Sequence, residues 1–365
     1  MSDRHEAALA IEDGSVFVGE PFGALTTVAA EVVFNTGITG YQEIATDPSY
    51  RGQMVVMTHP QIGNYGVADS GDESVRPWIA GLIVRELAQQ PHHWESRMRL
   101  EDFLKKWDVP GLQGIDTRAL VRRLRESGTQ RGVVEHSRPG GFTPHDLEGL
   151  REAARRAPSV SQLELVSGVS DVLPHLGTSS DVALVDCGSK WNILRSLERR
   201  GVRPQVYAWD TSAAEILESK PSAVLFSNGP GDPAKLPTVV AELRKLISSG
   251  TPVMGICLGH QLLGLAAGAT TNRLPYGHHG GNHPVRDLRT GRVTITTQNH
   301  EFQVMAESIP AASGFEVSQV NLNDGSVEGL RHRELPVFSV QYHPEGCPGP
   351  QDSQRLFDEF LSMTT

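Results

Sequence analysis

Val253-Met254-Gly255-Ile256-Cys257-Leu258-Gly259-His260-Gln261 decides how the second half of the chain is read. The apolar run 252–256 reads as a buried strand, and 258–267 as a helix that Gly268 can stop. Between them lies Gly-x-Cys-x-Gly, the thiol counterpart of the Gly-x-Ser-x-Gly nucleophile elbow. So sharp a turn leaves no room for neighbouring side chains, which accounts for a glycine on either side. Cys257 then stands at a helix N-terminus, where the dipole favours thiolate. A merely buried cysteine at a strand end fits the same residues.

A second stretch, 86 residues on, bears on that choice: Val337-Phe338-Ser339-Val340-Gln341-Tyr342-His343-Pro344-Glu345. It reads as a strand ending in His-Pro-Glu. Pro344 pushes His343 towards an extended conformation. Residues two apart in an extended chain point to one side, so Glu345 can orient the His343 imidazole. Cys257, His343 and Glu345 then supply a nucleophile, a base and an orienting carboxylate.

Outward from the elbow, strands and helices alternate. Strands are expected at 182–185, 205–207 and 223–226, and helices at 191–200, 213–218 and 239–247. Such alternation predicts a parallel, doubly wound sheet, in which ligands bind beyond the carboxyl ends of the strands. Ser227-Asn228-Gly229-Pro230-Gly231 lies at one such end, and its glycines let backbone N–H groups approach a ligand. An ordinary Gly/Pro turn is the alternative. Gly277-His278-His279-Gly280-Gly281-Asn282-His283 reads as a loop with three histidines in six residues. No Cys or carboxylate stands at usual ligand spacing, so no metal is expected there. Residues 292–297 read as a strand ending at Gln298, and 354–361 as a closing amphipathic helix.

The first half has many short strands, near 16–18, 31–34, 54–57 and 79–84, with a hairpin signal at Asp13-Gly14. Asn35 to Glu43 reads as a polar loop, and Asp47-Pro48-Ser49-Tyr50 as a turn. Helices are expected around Leu100-Phe103-Leu104-Trp107, over 117–127 with Asp116 as cap, and from Thr143-Pro144 to Pro158. This is a mixed α/β domain with no visible catalytic constellation. Two domains are expected, 1–178 and 179–365.

The whole chain has 365 residues and a net charge of −10, which argues against a nucleic-acid ligand. Three cysteines form no CxxC pair and no disulfide framework. The opening residues lack the apolar core of an export signal, and no apolar run approaches the roughly 20 residues of a membrane span. A cytoplasmic protein without membrane contact is expected.

Gly-Ile-Cys-Leu-Gly-His-Gln with a later His-Pro-Glu resembles the triad-type glutamine amidotransferases. Phe34-Asn35-Thr36-Gly37-Ile38-Thr39-Gly40-Tyr41-Gln42-Glu43 and Gly114-Ile115-Asp116-Thr117-Arg118-Ala119-Leu120 resemble the small subunit of carbamoyl phosphate synthetase. That resemblance covers nearly the whole chain. It implies an N-terminal mixed α/β domain that docks a partner, followed by a doubly wound glutamine amidotransferase domain. It implies a Cys257-His343-Glu345 triad that hydrolyses L-glutamine. It also implies glutamine contacts from Ser49, Gly229, Gly231, Leu258, Gln261, Asn299, Glu301 and Phe302, with the Gly231 and Leu258 N–H groups holding the oxyanion. Ammonia would pass to a large, ATP-dependent subunit that makes carbamoyl phosphate from bicarbonate.

The chain has no Gly-x-x-x-x-Gly-Lys-Ser/Thr phosphate loop and runs one helix beyond the triad. No cofactor is therefore expected in it, with ATP and Mg on the partner. Two positions depart from the family. Glu301 stands where a small residue, usually Gly, is expected, and its side chain is expected to face solvent. Gly346-Cys347 stands where Ala-Ser is usual. Three alternatives stay open: the glutaminase of another amidotransferase, a cysteine hydrolase working alone, and a non-catalytic regulatory subunit. The destination of the product, in pyrimidine, arginine or specialised synthesis, and the number of heterodimers in any assembly are not legible.

Overall fold

The computed structural model describes residues 5–136, 141–170 and 182–364. The chain divides into two units, Met1–Leu163 and Glu164–Thr365. The expected boundary at 178/179 lies outside the described residues.

In the first unit the strands are β1 (Ala7–Ile11), β2 (Val16–Gly23), β3 (Val28–Asn35), β4 (Gln53–Met57), β5 (Gln61–Ile62), β6 (Gly81–Ile83), β7 (Glu86–Leu87), β8 (Pro110–Gln113) and β9 (Gln130–His136). Seven of them close a barrel in the order β1-β2-β8-β6-β4-β3-β9, while β5 and β7 pair separately. Closure depends on distant pairings such as Ala8 with Glu135, which no local pattern announces. The helices are α1 (Tyr41–Thr46), α2 (Leu100–Lys106), α3 (Thr117–Ser127) and α4 (Pro144–Arg156). Asp116 caps α3 as expected, accepting from Ala119 N at 2.9 Å. Thr143 and Asp146 form a capping box on α4. Ala8 and Ala10 are small enough for Leu150 and Ala154 of α4 to pack on the barrel wall. The expected loop 35–43 is shorter than read, because α1 starts at Tyr41, whose buried ring stacks on Tyr65 at 4.1 Å.

The second unit holds β10 (Val182–Asp186), α5 (Trp191–Glu198), β11 (Gln205–Ala208), α6 (Ala213–Glu218), β12 (Ala223–Phe226), α7 (Pro237–Ser248), β13 (Val253–Ile256) and α8 (Leu258–Ala266). Then follow β14 (Thr271–Asp287), β15 (Val293–Val304), β16 (Phe315–Asn321), β17 (Val327–His332), β18 (Val337–Val340) and α9 (Arg355–Ser362). They build one sheet in the order β11-β10-β12-β13-β18-β17-β16-β14-β15. The first five strands run parallel, and the rest extend the sheet antiparallel. Ala183 and Val185 face a core with Leu243 and Leu262 of α7 and α8. Val182 and Leu184 face the opposite core, with Ile193 of α5 and Phe357 of α9. That alternation is what a sheet covered on both faces requires. The parallel expectation holds for the five strands from the β11 edge to β18.

Two expectations about its antiparallel edge are corrected. The histidine-rich stretch is part of strand β14, which pairs with β15 through two register shifts. Likewise β15 does not end at Gln298 but runs on to Val304. Ladder hydrogen bonds carry the chain through glycines and histidines that read locally as a loop.

Candidate active site

Cys257 is the residue between β13 and α8, with φ 54° and ψ −102°. Few non-glycine residues take such angles, and they are held here by tight packing on both sides. A Cβ on Gly255 would lie 2.5 Å from Gly259 O, and one on Gly259 would lie 2.4 Å from Phe226 O. The two glycines of the motif are thus required by contact. Cys257 N donates to Val340 O at 2.9 Å, tying the elbow to the strand that leads to the histidine.

His343 is held by its own N–H to Thr297 O at 2.9 Å. Its Nδ1 lies 2.7 Å from Glu345 Oε1, as the two-residue spacing suggested. Its Nε2 is buried, and the Cys257 thiol lies close enough to act on the ring. Burial pulls the imidazole down, but Glu345 and Cys257 outweigh it and raise its pKa to about 10. Burial likewise works against an ionised Glu345, yet Lys190 and His343 hold it at about 2. The triad is fully enclosed: Cys257, His343 and Glu345 are all buried.

Lys190 was missed by sequence reasoning. It is 1% exposed, and its Nζ lies 3.0 Å from Glu345 Oε1 and donates to Gly346 O at 2.7 Å. The loop after β10 places it: Asp186 Oδ1 accepts from Gly188 N and Ser189 N, and Asn228 Oδ1 accepts from Lys190 N. A lone lysine beyond a strand carries no signal, since lysines are mostly exposed. Gln341 was also missed. Its Nε2 reaches Cys257 Sγ at 3.7 Å and its Oε1 accepts from Gln261 Nε2 at 3.2 Å. Its position two residues before His343 was the available signal.

The expected glutamine contacts fall into two groups. Gly229 packs against the elbow, since a Cβ there would lie 2.9 Å from Leu258 Cδ2 and 2.1 Å from Cys187 O. Gly231 follows in the same loop, beside Leu165. Gln261 donates to Phe302 O at 2.9 Å, and Asn299 O accepts from Cys257 Sγ at 3.5 Å. Asn299 therefore touches the thiol directly, Leu258 follows it in the chain, and Gln261 ties Phe302 to the Gln341 that reaches it. Ser49 belongs to the first unit, in a short helical turn where Asp47 Oδ1 accepts from its N–H at 2.9 Å.

Glu301 requires a correction. Its side chain does not face solvent; it is 7% exposed. Oε1 accepts from His279 Nε2 at 2.9 Å, and Oε2 pairs with Arg273 at 3.1 Å. Burial would raise its pKa, but His279 and Arg273 hold it below the usual carboxylate range.

Ligand atoms of His278, His300 and Glu328 come within 4.8 Å of one another. Their surroundings do not favour a metal. Both ring nitrogens of His300 face protein oxygens, of Phe302 and Gln298, and Glu328 accepts from Asn321 and Gln298. Cys347, four residues after His343, is half-buried.

Residues 9–134 match the family described as carbamoyl-phosphate synthase small chain, CPSase domain, and residues 183–363 match glutamine amidotransferase class-I. A carbamoyl phosphate synthase small chain of Symbiobacterium thermophilum is 51% identical over 97% of both chains. The chain belongs to the carbamoyl phosphate synthase small-chain family. Its relatives span distant hosts. A small chain of Methanopyrus kandleri is 46% identical over 98% of both chains, and a pyrimidine-specific small chain of Bacillus subtilis is 44% identical over 97% of this chain and 95% of that one. As in the family, an amidotransferase unit follows a small-chain unit. No helix among the described residues is long and apolar enough to cross a membrane.

Proposed function

We propose that this small chain hydrolyses L-glutamine at Cys257 and delivers the ammonia to a large synthetase subunit. The observation that carries the reading is the buried histidine between a carboxylate at 2.7 Å and a thiol. Cys257 Sγ attacks the glutamine side-chain carbonyl carbon as a thiolate, its proton already on His343, and the C–O π electrons move onto oxygen. N–H groups of Gly231 and Leu258 receive that oxyanion. His343, charged near neutral pH because its pKa stands at about 10, gives its proton to the leaving nitrogen. Ammonia leaves and a thioester remains. Water, deprotonated by His343, then cleaves the thioester to glutamate and free thiol. Glu345, itself held ionised by Lys190, keeps the imidazole placed and charged.

Ammonia released into bulk water would be protonated and lose its nucleophilicity. The reading therefore includes a closed route to the partner and docking through the first unit, with a cytoplasmic setting. The ATP and Mg chemistry is assigned to the partner, since this sequence has no phosphate-binding loop. The test is synthesis of carbamoyl phosphate by the complex with a large subunit. Cys257→Ser should abolish the glutamine-dependent reaction and leave the ammonia-dependent one. Loss of both, or retention of both, would overturn the reading.

A further inference from the structure

Strand β15 carries Asn299, Glu301 and Phe302, with Asn299 O 3.5 Å from the Cys257 thiol, and β14 pairs directly with that strand. From β14, His279 places Nδ1 3.1 Å from Asn299 Oδ1 and Nε2 2.9 Å from Glu301 Oε1. Also from β14, Arg273 pairs with Glu301 Oε2 at 3.1 Å and sets its guanidinium 6.0 Å from the centre of the Phe302 ring. One carboxylate thus takes hydrogen bonds from an imidazole and a guanidinium, and each donor reaches on to a different residue of β15. The backbone is shaped around this contact: a Cβ on Gly277 would lie 2.6 Å from His279 Nε2 and 2.8 Å from Glu301 Oε1.

We propose that Glu301 is a positioning residue for glutamine binding, a clamp that fixes Asn299 through His279 and Phe302 through Arg273. The chemistry is directional. A carboxylate only accepts, so His279 donates to it from Nε2. The ring's other nitrogen then meets the Asn299 amide: a neutral ring accepts from the amide N–H and an imidazolium donates to the amide oxygen, and in either state the contact fixes how that amide presents itself to a substrate. Without the carboxylate the imidazole loses its Nε2 contact, and the amide loses the orientation that contact sets. The cysteine, its histidine and Glu345 are untouched. The clamp should therefore act on binding more than on turnover. This inference rests on the reading of Cys257 as the nucleophile of glutamine hydrolysis.

The experiment measures glutamate release by the full chain and, separately, glutamine affinity by calorimetry in a Cys257→Ser background. Glu301→Gln removes the charge and keeps the size. It should raise KM and Kd for glutamine about ten-fold, with kcat within about three-fold of wild type. His279→Gln breaks the Asn299 arm alone and should raise both by a smaller factor, and the double variant should be no worse than Glu301→Gln, because His279 acts through Glu301. A general loosening of the fold would lower kcat as well and would add in the double variant. Should Glu301→Gln fold poorly, Glu301→Asp serves instead, with an expected rise in KM of about three-fold as one contact lengthens. Glutamine affinity within about two-fold of wild type in these variants, or additive losses, would overturn the clamp. So would tighter glutamine binding by Glu301→Gly. A wild-type chain that binds glutamine but releases no glutamate would overturn the nucleophile reading alone, since the calorimetry still judges the clamp. A Cys257→Ser chain that binds no glutamine would overturn both.

Discussion

Two buried carboxylates of the second unit lie in matching surroundings. Glu345 has His343 at 2.7 Å and Lys190 at 3.0 Å; Glu301 has His279 at 2.9 Å and Arg273 at 3.1 Å. Each is kept ionised against the pull of burial by an imidazole and a basic side chain. They differ in what the histidine's second nitrogen faces. For His343 it is the Cys257 thiol; for His279 it is the Asn299 amide. The same device thus bears on the proposed nucleophile in one case and on a proposed binding residue in the other. Its role is set by the far side of the imidazole, not by the ion pair.

That contrast can be broken most severely on the catalytic side. His343→Asn should lower the turnover of glutamine by about a thousand-fold or more while the substrate still binds, as seen in steady-state kinetics beside calorimetry. Turnover within ten-fold of wild type would place the proton donor elsewhere.

Lys190→Met should come next. Removing the cation leaves Glu345 buried with less compensation and should destabilise the chain by about 3 kcal/mol, read from urea unfolding. An unchanged unfolding midpoint would mean that Lys190 adds nothing to the pair.

The pH dependence of stability sharpens the comparison further. Glu345 is held at about 2 against an ordinary 4.5, so its contribution is complete above pH 4.5 and is lost as pH falls through 2. His343 is raised from 6.5 to about 10, so its contribution is complete below pH 6.5 and is lost as pH rises through 10. The pair should stabilise most between pH 4.5 and 6.5. Thermal melts of Glu345→Gln should show a flatter profile at both ends; slopes equal to those of wild type would refute the assignment.

The smallest effect is expected on the binding side. Gly277→Ala pushes a methyl group against the clamp and, with φ of 69°, strains the backbone. It should raise KM for glutamine about three-fold and cost about 1 kcal/mol of stability. A wild-type KM would show that the clamp tolerates displacement.

Much of this was legible before any fold was seen. The elbow could be read because its constraint is local: Gly255 and Gly259 must each clear a backbone oxygen. His343 and Glu345 could be paired because two residues of extended chain bring side chains to one side. Their meeting with Cys257 was less secure, since it depends on β13 and β18 being neighbours, registered Ile256 with Val340. The barrel was not legible. Its strands pair across intervals such as Ala7 with His136, and a short apolar strand does not name its partner.

The sequence by itself determined the strand-and-helix grammar of the second half, the elbow at Cys257 and the pairing of His343 with Glu345. Those features rest on turns, periodicity and spacings of a few residues. Only the tertiary structure decided that Lys190 meets Glu345 and that Glu301 turns inward to His279 and Arg273. A charged side chain is stable in solvent at almost any position. It is stable in the interior only where a counter-charge has been brought to it, and that is settled by which strands lie side by side.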